Sequence, residues 1–175
     1  MHPIDHPERL AFDIGEDALQ IAQTVRDFAR ERIAPGAAER DRTSEFPMEL
    51  IPELAEMGLL TMKVSADDGG SGLDNTTYLL TMSAISAACA STAVICASSN
   101  LAMSVLGRNA SAEQKERWIP PYARGELGPS SFALSEPHCG SDAAALRTSA
   151  RRDGDDWILD GGKMWITSGA VAGLH

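Results

Sequence analysis

Residues 75–107 contain no Asp, Glu, Lys, Arg or His, and this uncharged stretch constrains the fold more than any other feature of the chain. A segment of this length and polarity must be buried, either in a protein core or in a bilayer. It is rich in Ser and Thr and lacks the Leu, Ile and Phe density of a spanning helix. We therefore expect two core helices, divided near Ser91 and Thr92, and no membrane span.

Two further helices are predicted ahead of this stretch. Apolar residues recur at three- and four-residue spacing over residues 16–33, which indicates an amphipathic helix. Pro35 should end it, because a proline ring clashes with a helical residue before it. A second helix is expected over residues 48–57, closed by Gly58. Residues 67–72 (DDGGSG) favour a turn over a phosphate-binding loop, since no Walker lysine follows.

A third helical signal lies after the uncharged stretch. Ser111 and Gln114 have the spacing of a capping box, which predicts a helix that begins there and continues through Trp118. Gly125 should end the helical part of the chain. Beyond it the apolar pattern changes from helical to extended.

Short strands joined by glycine turns are predicted in the last part of the chain, over residues 147–152, 157–159 and 163–167. The fold class is therefore α+β, with an all-α domain over residues 1–127 and an antiparallel β domain over residues 128–175. So few strands cannot close a barrel or sandwich. We expect this β domain to be incomplete and the chain to be cut short.

Charge and cysteine content exclude several classes of protein. The net charge of -10, with scattered basic residues, argues against a nucleic-acid partner. The chain has three cysteines, Cys89, Cys96 and Cys139. Their odd number and the lack of C-x-x-C spacing indicate reduced thiols. The first residues contain early acidic side chains and no apolar core of a secretory signal. We expect a cytoplasmic protein.

Residues 135–142 (SEPHCGSD) concentrate hydroxyl, carboxylate, imidazole and thiol groups on one loop, which predicts a functional site. His138, Cys139 and Asp142 are candidate metal ligands, but adjacent side chains point in different directions and no second ligand pair has suitable spacing. A Cys-His nucleophile pair fails for the same geometric reason. We expect no metal site here.

The motifs together resemble the acyl-CoA dehydrogenase family in order and spacing. The likeness rests on residues 132–141 (FALSEPHCGS) and 165–167 (WIT), and residues 68–72 and 113–117 also fit. Ser135 stands where the family usually has threonine, so the hydroxyl is kept. Cys139 and Ser168 replace a small residue and an asparagine, respectively. The resemblance implies a helical domain, a middle β domain and a C-terminal four-helix domain, with FAD between the last two.

The resemblance also implies the site residues. Ser141 is expected to contact the acyl-CoA substrate as well as the cofactor. The family's catalytic base is a glutamate of the C-terminal domain, so it is expected beyond His175, and Glu136 is not assigned that role. Glu136 and Lys163 are interpreted as a solvated or salt-bridged structural pair. The implied cofactor-binding residues are Phe132, Ala133, Leu134, Ser135, Gly140, Ser141, Trp165, Ile166 and Thr167.

The implied function is oxidation of the α,β C–C bond of an acyl-CoA thioester in fatty acid metabolism, with hydride transfer to FAD. Electron transfer flavoprotein is the implied electron acceptor, and a homo-oligomer, dimer or tetramer, is the implied assembly. Alone, these residues should bind FAD weakly or not at all and should be inactive. Two alternatives stay open: a non-enzymatic truncated paralogue that acts as an assembly module, and a flavin monooxygenase or acyl-CoA oxidase of the same fold.

Overall fold

The computed structural model describes residues 14–175, and within them six α-helices precede a two-stranded antiparallel sheet. This arrangement confirms the predicted α+β class; the domain boundary at residue 127 stays a prediction. The N-terminal residues that argued against a secretory signal lie largely outside the described range. The elements are α1 (Glu16–Phe28), α2 (Ala34–Thr43), α3 (Ile51–Glu56), α4 (Asn75–Ala88), α5 (Ala90–Asn109), α6 (Ala112–Ala123), β1 (Ser149–Asp153) and β2 (Asp156–Asp160).

The first two helices are continuous through a π-helical turn, Ala29–Ile33. The prediction that Pro35 ends the helix is therefore wrong. Pro35 is the second residue of α2 and directly follows the π-helical turn, so the hydrogen bond that a proline cannot donate is lost where the helical spacing already changes. The wider turn before it absorbs the change in hydrogen-bond spacing.

The uncharged stretch forms α4 and α5, which pack against each other and bury Ile85, Cys96 and Met103. The two helices divide at Cys89, which has an extended backbone with φ of -160°. The boundary expected near Ser91 and Thr92 therefore lies about two residues too far along the chain. Cys89 takes the position that precedes the first helical residue, so Ser91 already lies inside α5.

Helix α5 is long and apolar enough to cross a bilayer by length and composition alone, a test that core helices also pass. Its buried face carries Asn100, whose amide donates to the carbonyls of Leu59 and Cys96 at 2.8 and 2.9 Å. The amide oxygen accepts from the Lys63 N–H at 3.2 Å. Asn100 is thus a satisfied buried polar group that fixes the chain around residues 59–63 against α5.

The rest of the helical core is assembled from α3 and α6. A 3-10 turn leads into α3, and Gly58, with φ of 69°, ends it as predicted. Both hydrogen bonds of the capping box are present between Ser111 and Gln114, which confirms the predicted start of α6. The helix continues past Trp118 to Ala123. The fully buried side chains of the core include Ile33, Leu54, Leu60, Ile85, Ile119 and Tyr122.

The strands pair as a hairpin in which Ser149 faces Asp160 and Asp153 faces Asp156. All of their residues are exposed, including Trp157 and Leu159, which are 64% and 73% exposed. The prediction of a third strand over residues 163–167 is wrong. Its extended run is interrupted by Trp165, which has a left-handed backbone conformation.

Candidate functional site

The loop that follows the helical part turns back on itself at Glu136. The Glu136 N–H donates to the Cys139 carbonyl at 2.8 Å, and the Cys139 N–H donates to the Glu136 carbonyl at 3.1 Å. This turn brings Gly140 beside Ser135, since a Cβ atom on Gly140 would lie 3.8 Å from the Ser135 hydroxyl. Two of the predicted cofactor-binding residues are thus neighbours in space.

The second predicted segment lies directly against this loop. The Met164 N–H donates a hydrogen bond of 2.9 Å to the Ser135 carbonyl. Trp165, Ile166 and Thr167 follow Met164 in the chain. The two segments that the sequence singled out therefore meet at Ser135 and Met164, although 29 residues separate these two positions.

Trp165 has an unusual conformation at this junction. Its φ is 61°, and the residue is 88% exposed. The left-handed region costs an L-residue about 1–2 kcal/mol, and for a bulky side chain it is a true outlier. Strained backbone of this kind concentrates at ligand sites. Trp165 follows Met164, whose N–H bonds to the Ser135 carbonyl, so an exposed indole and a hydroxyl-bearing loop lie on adjoining segments. This combination fits a flat aromatic cofactor that also needs hydrogen-bond donors.

The Glu136 carboxylate is buried beneath the loop, with a side chain only 2% exposed. It accepts hydrogen bonds from the Arg147 N–H at 2.8 Å and from the Thr148 N–H at 2.9 Å. The Lys163 ammonium lies 2.9 Å from the same carboxylate. The Thr148 side chain, Lys163 and these amides hold the pKa of Glu136 well below its usual range, although desolvation acts in the opposite direction. Glu136 is therefore ionised and fully engaged.

Glu136, His138 and Cys139 place potential metal ligands within 4.8 Å of one another. Hydrogen bonds within the protein already occupy the Glu136 and His138 side chains of this cluster. The Glu136 carboxylate accepts hydrogen bonds from two backbone amides and an ammonium group, and the His138 Nε2 lies 3.0 Å from the Ala145 carbonyl. A cationic lysine at this distance also opposes a second cation. The expectation of no metal site stays a prediction.

The remaining predicted site residues are spread around the junction. Phe132 and Ala133 line a cavity of about 510 Å³ beside α5 and α6. Thr167 lines a different cavity, of about 680 Å³, together with Arg40 and Cys89. The structure thus brings Ser135, Gly140 and the start of the Trp165 segment together and leaves Phe132 and Thr167 facing separate spaces. Leu134 and Ser141 are exposed, and Ile166 is half-buried.

Comparison with known proteins assigns the family. Residues 15–126 match the model for the acyl-CoA dehydrogenase N-terminal domain, and residues 131–175 match the model for the middle domain. The mouse mitochondrial short-chain specific acyl-CoA dehydrogenase is 42% identical over 93% of this chain and 40% of its own length. The short-chain specific enzyme of Clostridium acetobutylicum is 34% identical over 92% of this chain and 42% of its own.

Solved structures give the same result. A glutaryl-CoA dehydrogenase from Mycobacterium smegmatis in complex with FADH2 superposes with a TM-score of 0.89 at 33% identity, covering 98% of this chain and 44% of that one. A structure of the electron transferring flavoprotein of Acidaminococcus fermentans superposes with a TM-score of 0.85 at 32% identity over 93% of this chain and 43% of that one. The chain thus spans about two fifths of these relatives. It belongs to the acyl-CoA dehydrogenase family.

Proposed function

We propose that this chain supplies the first part of an FAD-dependent acyl-CoA dehydrogenase that oxidises the α,β C–C bond of an acyl-CoA thioester. The observation that carries the proposal is the hydrogen bond between Met164 and Ser135, because it sets the exposed Trp165 beside the hydroxyl-bearing loop. The FADH2 complex of the glutaryl-CoA dehydrogenase supports FAD as the cofactor. The short-chain specific relatives favour a short acyl group.

Each residue of the junction has a chemical role in this proposal. When bound, FAD accepts the hydride that leaves the β carbon of the substrate. The Ser135 hydroxyl and the loop amides would donate hydrogen bonds to the flavin and stabilise negative charge on the ring. Trp165 would form an aromatic wall. The family resemblance implies a substrate contact for Ser141 and a second hydroxyl from Thr167, although Thr167 lines the separate cavity with Arg40 and Cys89.

Glu136 is unsuited to act as the base that removes the substrate's α proton. A general base needs a free lone pair and a pKa near the working pH. The Glu136 carboxylate is buried under three donors, and its pKa is lowered. The proposal therefore keeps the base that the family resemblance implies, a glutamate of the C-terminal domain beyond His175. Residues 1–175 alone should bind FAD weakly, release it readily and not dehydrogenate acyl-CoA.

The proposal includes partners for the complete enzyme. Electron transfer flavoprotein is the proposed acceptor of the electrons, and the match to a structure of such a flavoprotein supports this link. Assembly as a dimer or tetramer, a role in fatty acid metabolism and a location in the cytoplasm are further parts of the proposal.

Flavin absorbance after desalting tests the proposal. It is recorded for residues 1–175 alone and for the same residues joined to the rest of the middle domain and the C-terminal helical domain of a short-chain relative. We expect stoichiometric flavin only on the joined protein. Stoichiometric flavin on residues 1–175 alone would refute the weak binding, and the absence of flavin on both proteins would refute the cofactor.

A further inference from the structure

One carboxylate joins three segments of the chain. Glu136 lies in the loop over residues 132–141, and its oxygens accept hydrogen bonds from the amides of Arg147 and Thr148 just before β1. The third donor is Lys163, two residues before Trp165. Glu136 therefore connects the loop, the start of the hairpin and the segment that carries the exposed indole.

Lys163 makes a second contact that determines how the loop and the Trp165 segment align. Its ammonium donates to the Leu134 carbonyl at 2.9 Å and to the Glu136 carboxylate at 2.9 Å. These two acceptors lie on either side of Ser135. Between them, the Ser135 carbonyl accepts the Met164 N–H. Lys163 thus binds the residues on both sides of Ser135, and the next residue in the chain, Met164, binds Ser135 itself. Together these contacts fix the register between the two segments.

The environment of this pair favours a geometric role. The side chain of Glu136 is 2% exposed and that of Lys163 is 23% exposed. Desolvation offsets part of the attraction between buried opposite charges, so the pair contributes less to stability than its short distances suggest. The pair instead fixes the local geometry of the loop, because a buried carboxylate with three donors has one low-energy position.

We propose that Glu136 and Lys163 are positioning residues that set the register between residues 132–135 and 163–167, and thereby the distance from Ser135 to Trp165. This inference rests on the proposed flavin function, which gives that distance its importance. Displacement of a binding group by about 1 Å can cost up to about a hundredfold in function. The pair acts through Ser135 and Trp165 and not by contact with the substrate.

Variants of Lys163 distinguish a role in positioning the two segments from a general contribution to the stability of the fold. Lys163→Met removes the ammonium and keeps the stem, whereas Lys163→Arg keeps a cation that reaches the same two acceptors. Glu136→Gln removes the charge and sets an amide NH2 against backbone donors, so it should be the more damaging change. Arg32→Met is the matched control, because Arg32 pairs with Glu53 at 2.7 Å on the helical surface.

Amide exchange of Met164 and the unfolding midpoint of the helices are measured on residues 1–175. The FAD concentration that half-quenches tryptophan fluorescence is measured on the joined protein of the flavin absorbance test. We expect Lys163→Met to speed Met164 exchange and raise the half-quenching FAD concentration, each by about tenfold. Lys163→Arg should restore most of both values. The helical midpoint should change little, and Arg32→Met should leave exchange and quenching unchanged.

Two results would overturn the inference. One is unchanged Met164 exchange in Lys163→Met. The other is an equal fall in the helical midpoint for the Met and Arg variants, which would make the pair a general structural contact. A wild-type joined protein whose fluorescence FAD never quenches would count against the proposed function instead, and Met164 exchange would still decide whether the pair sets the register.

Discussion

The hydroxyl of Tyr122, at the end of α6, accepts a hydrogen bond of 3.1 Å from the N–H of Ser130. The Ser130 hydroxyl donates a second hydrogen bond, of 3.0 Å, to the same oxygen. Both residues are fully buried. This contact joins the helical core to the segment that leads into the loop of the candidate site, so it couples the position of that loop to α6.

Tyr122→Phe should therefore destabilise the fold. The change leaves the buried Ser130 N–H without its acceptor, and we expect a loss of about 1–3 kcal/mol in the free energy of unfolding. Urea denaturation measures it. Tyr78→Phe is the control, because the Tyr78 ring keeps its contact with Lys63. Equal losses in the two variants would contradict the role of the Tyr122 hydroxyl.

The thiols of Cys89 and Cys96 should differ in reactivity. Burial alone would raise the pKa of Cys89, but the neighbouring Thr92 and Arg40 bring it below its ordinary value. Burial raises the pKa of Cys96 to about 12. Because the thiolate is the reactive form, iodoacetamide should modify Cys89 first and leave Cys96 unmodified in the folded protein. Peptide mass spectrometry after timed labelling checks this order, and early labelling of Cys96 would contradict it.

Glu136 should make stability depend on acid pH. Its pKa is lowered in the folded protein, so its stabilisation is present above the unfolded pKa of about 4.3 and is lost as pH falls towards the folded value. The free energy of unfolding of the wild type should fall across this window. Glu136→Gln should show a shallower fall, and Glu56→Gln, the same charge change on the surface of α3, should not. Identical slopes for the two variants would be the contrary result.

The sequence predicted the helical part well where the signal is local. The capping box at Ser111 and the glycine end at Gly58 need only neighbouring residues, and both are present. Pro35 and the break at Cys89 were misjudged because the packing of α1, α2 and α4 decides them. A π-helical turn leaves no simple mark in the periodicity of apolar residues.

The site was predicted as two segments, located by Ser135 and Trp165. Glu136 and Lys163, 27 residues apart, were interpreted as a solvated or salt-bridged structural pair. The structure shows the salt bridge, but nothing local in the sequence indicates that it is buried or that Lys163 also binds the Leu134 carbonyl. The left-handed backbone of Trp165 was also unexpected, since a tryptophan in an apolar run favours a strand.

The central claim, that the loop around Ser135 and the segment of Trp165 meet at one flavin, is tested most directly by the fluorescence lifetime of Trp165. The test uses the joined protein of the flavin absorbance experiment. Replacing Trp118 and Trp157 with Phe, together with any tryptophan of the added part, leaves Trp165 as the single tryptophan. Increasing FAD or riboflavin should shorten its lifetime to a saturating limit, whereas AMP, which lacks the isoalloxazine ring, should have no effect. A lifetime that stays constant at every flavin concentration would contradict the account.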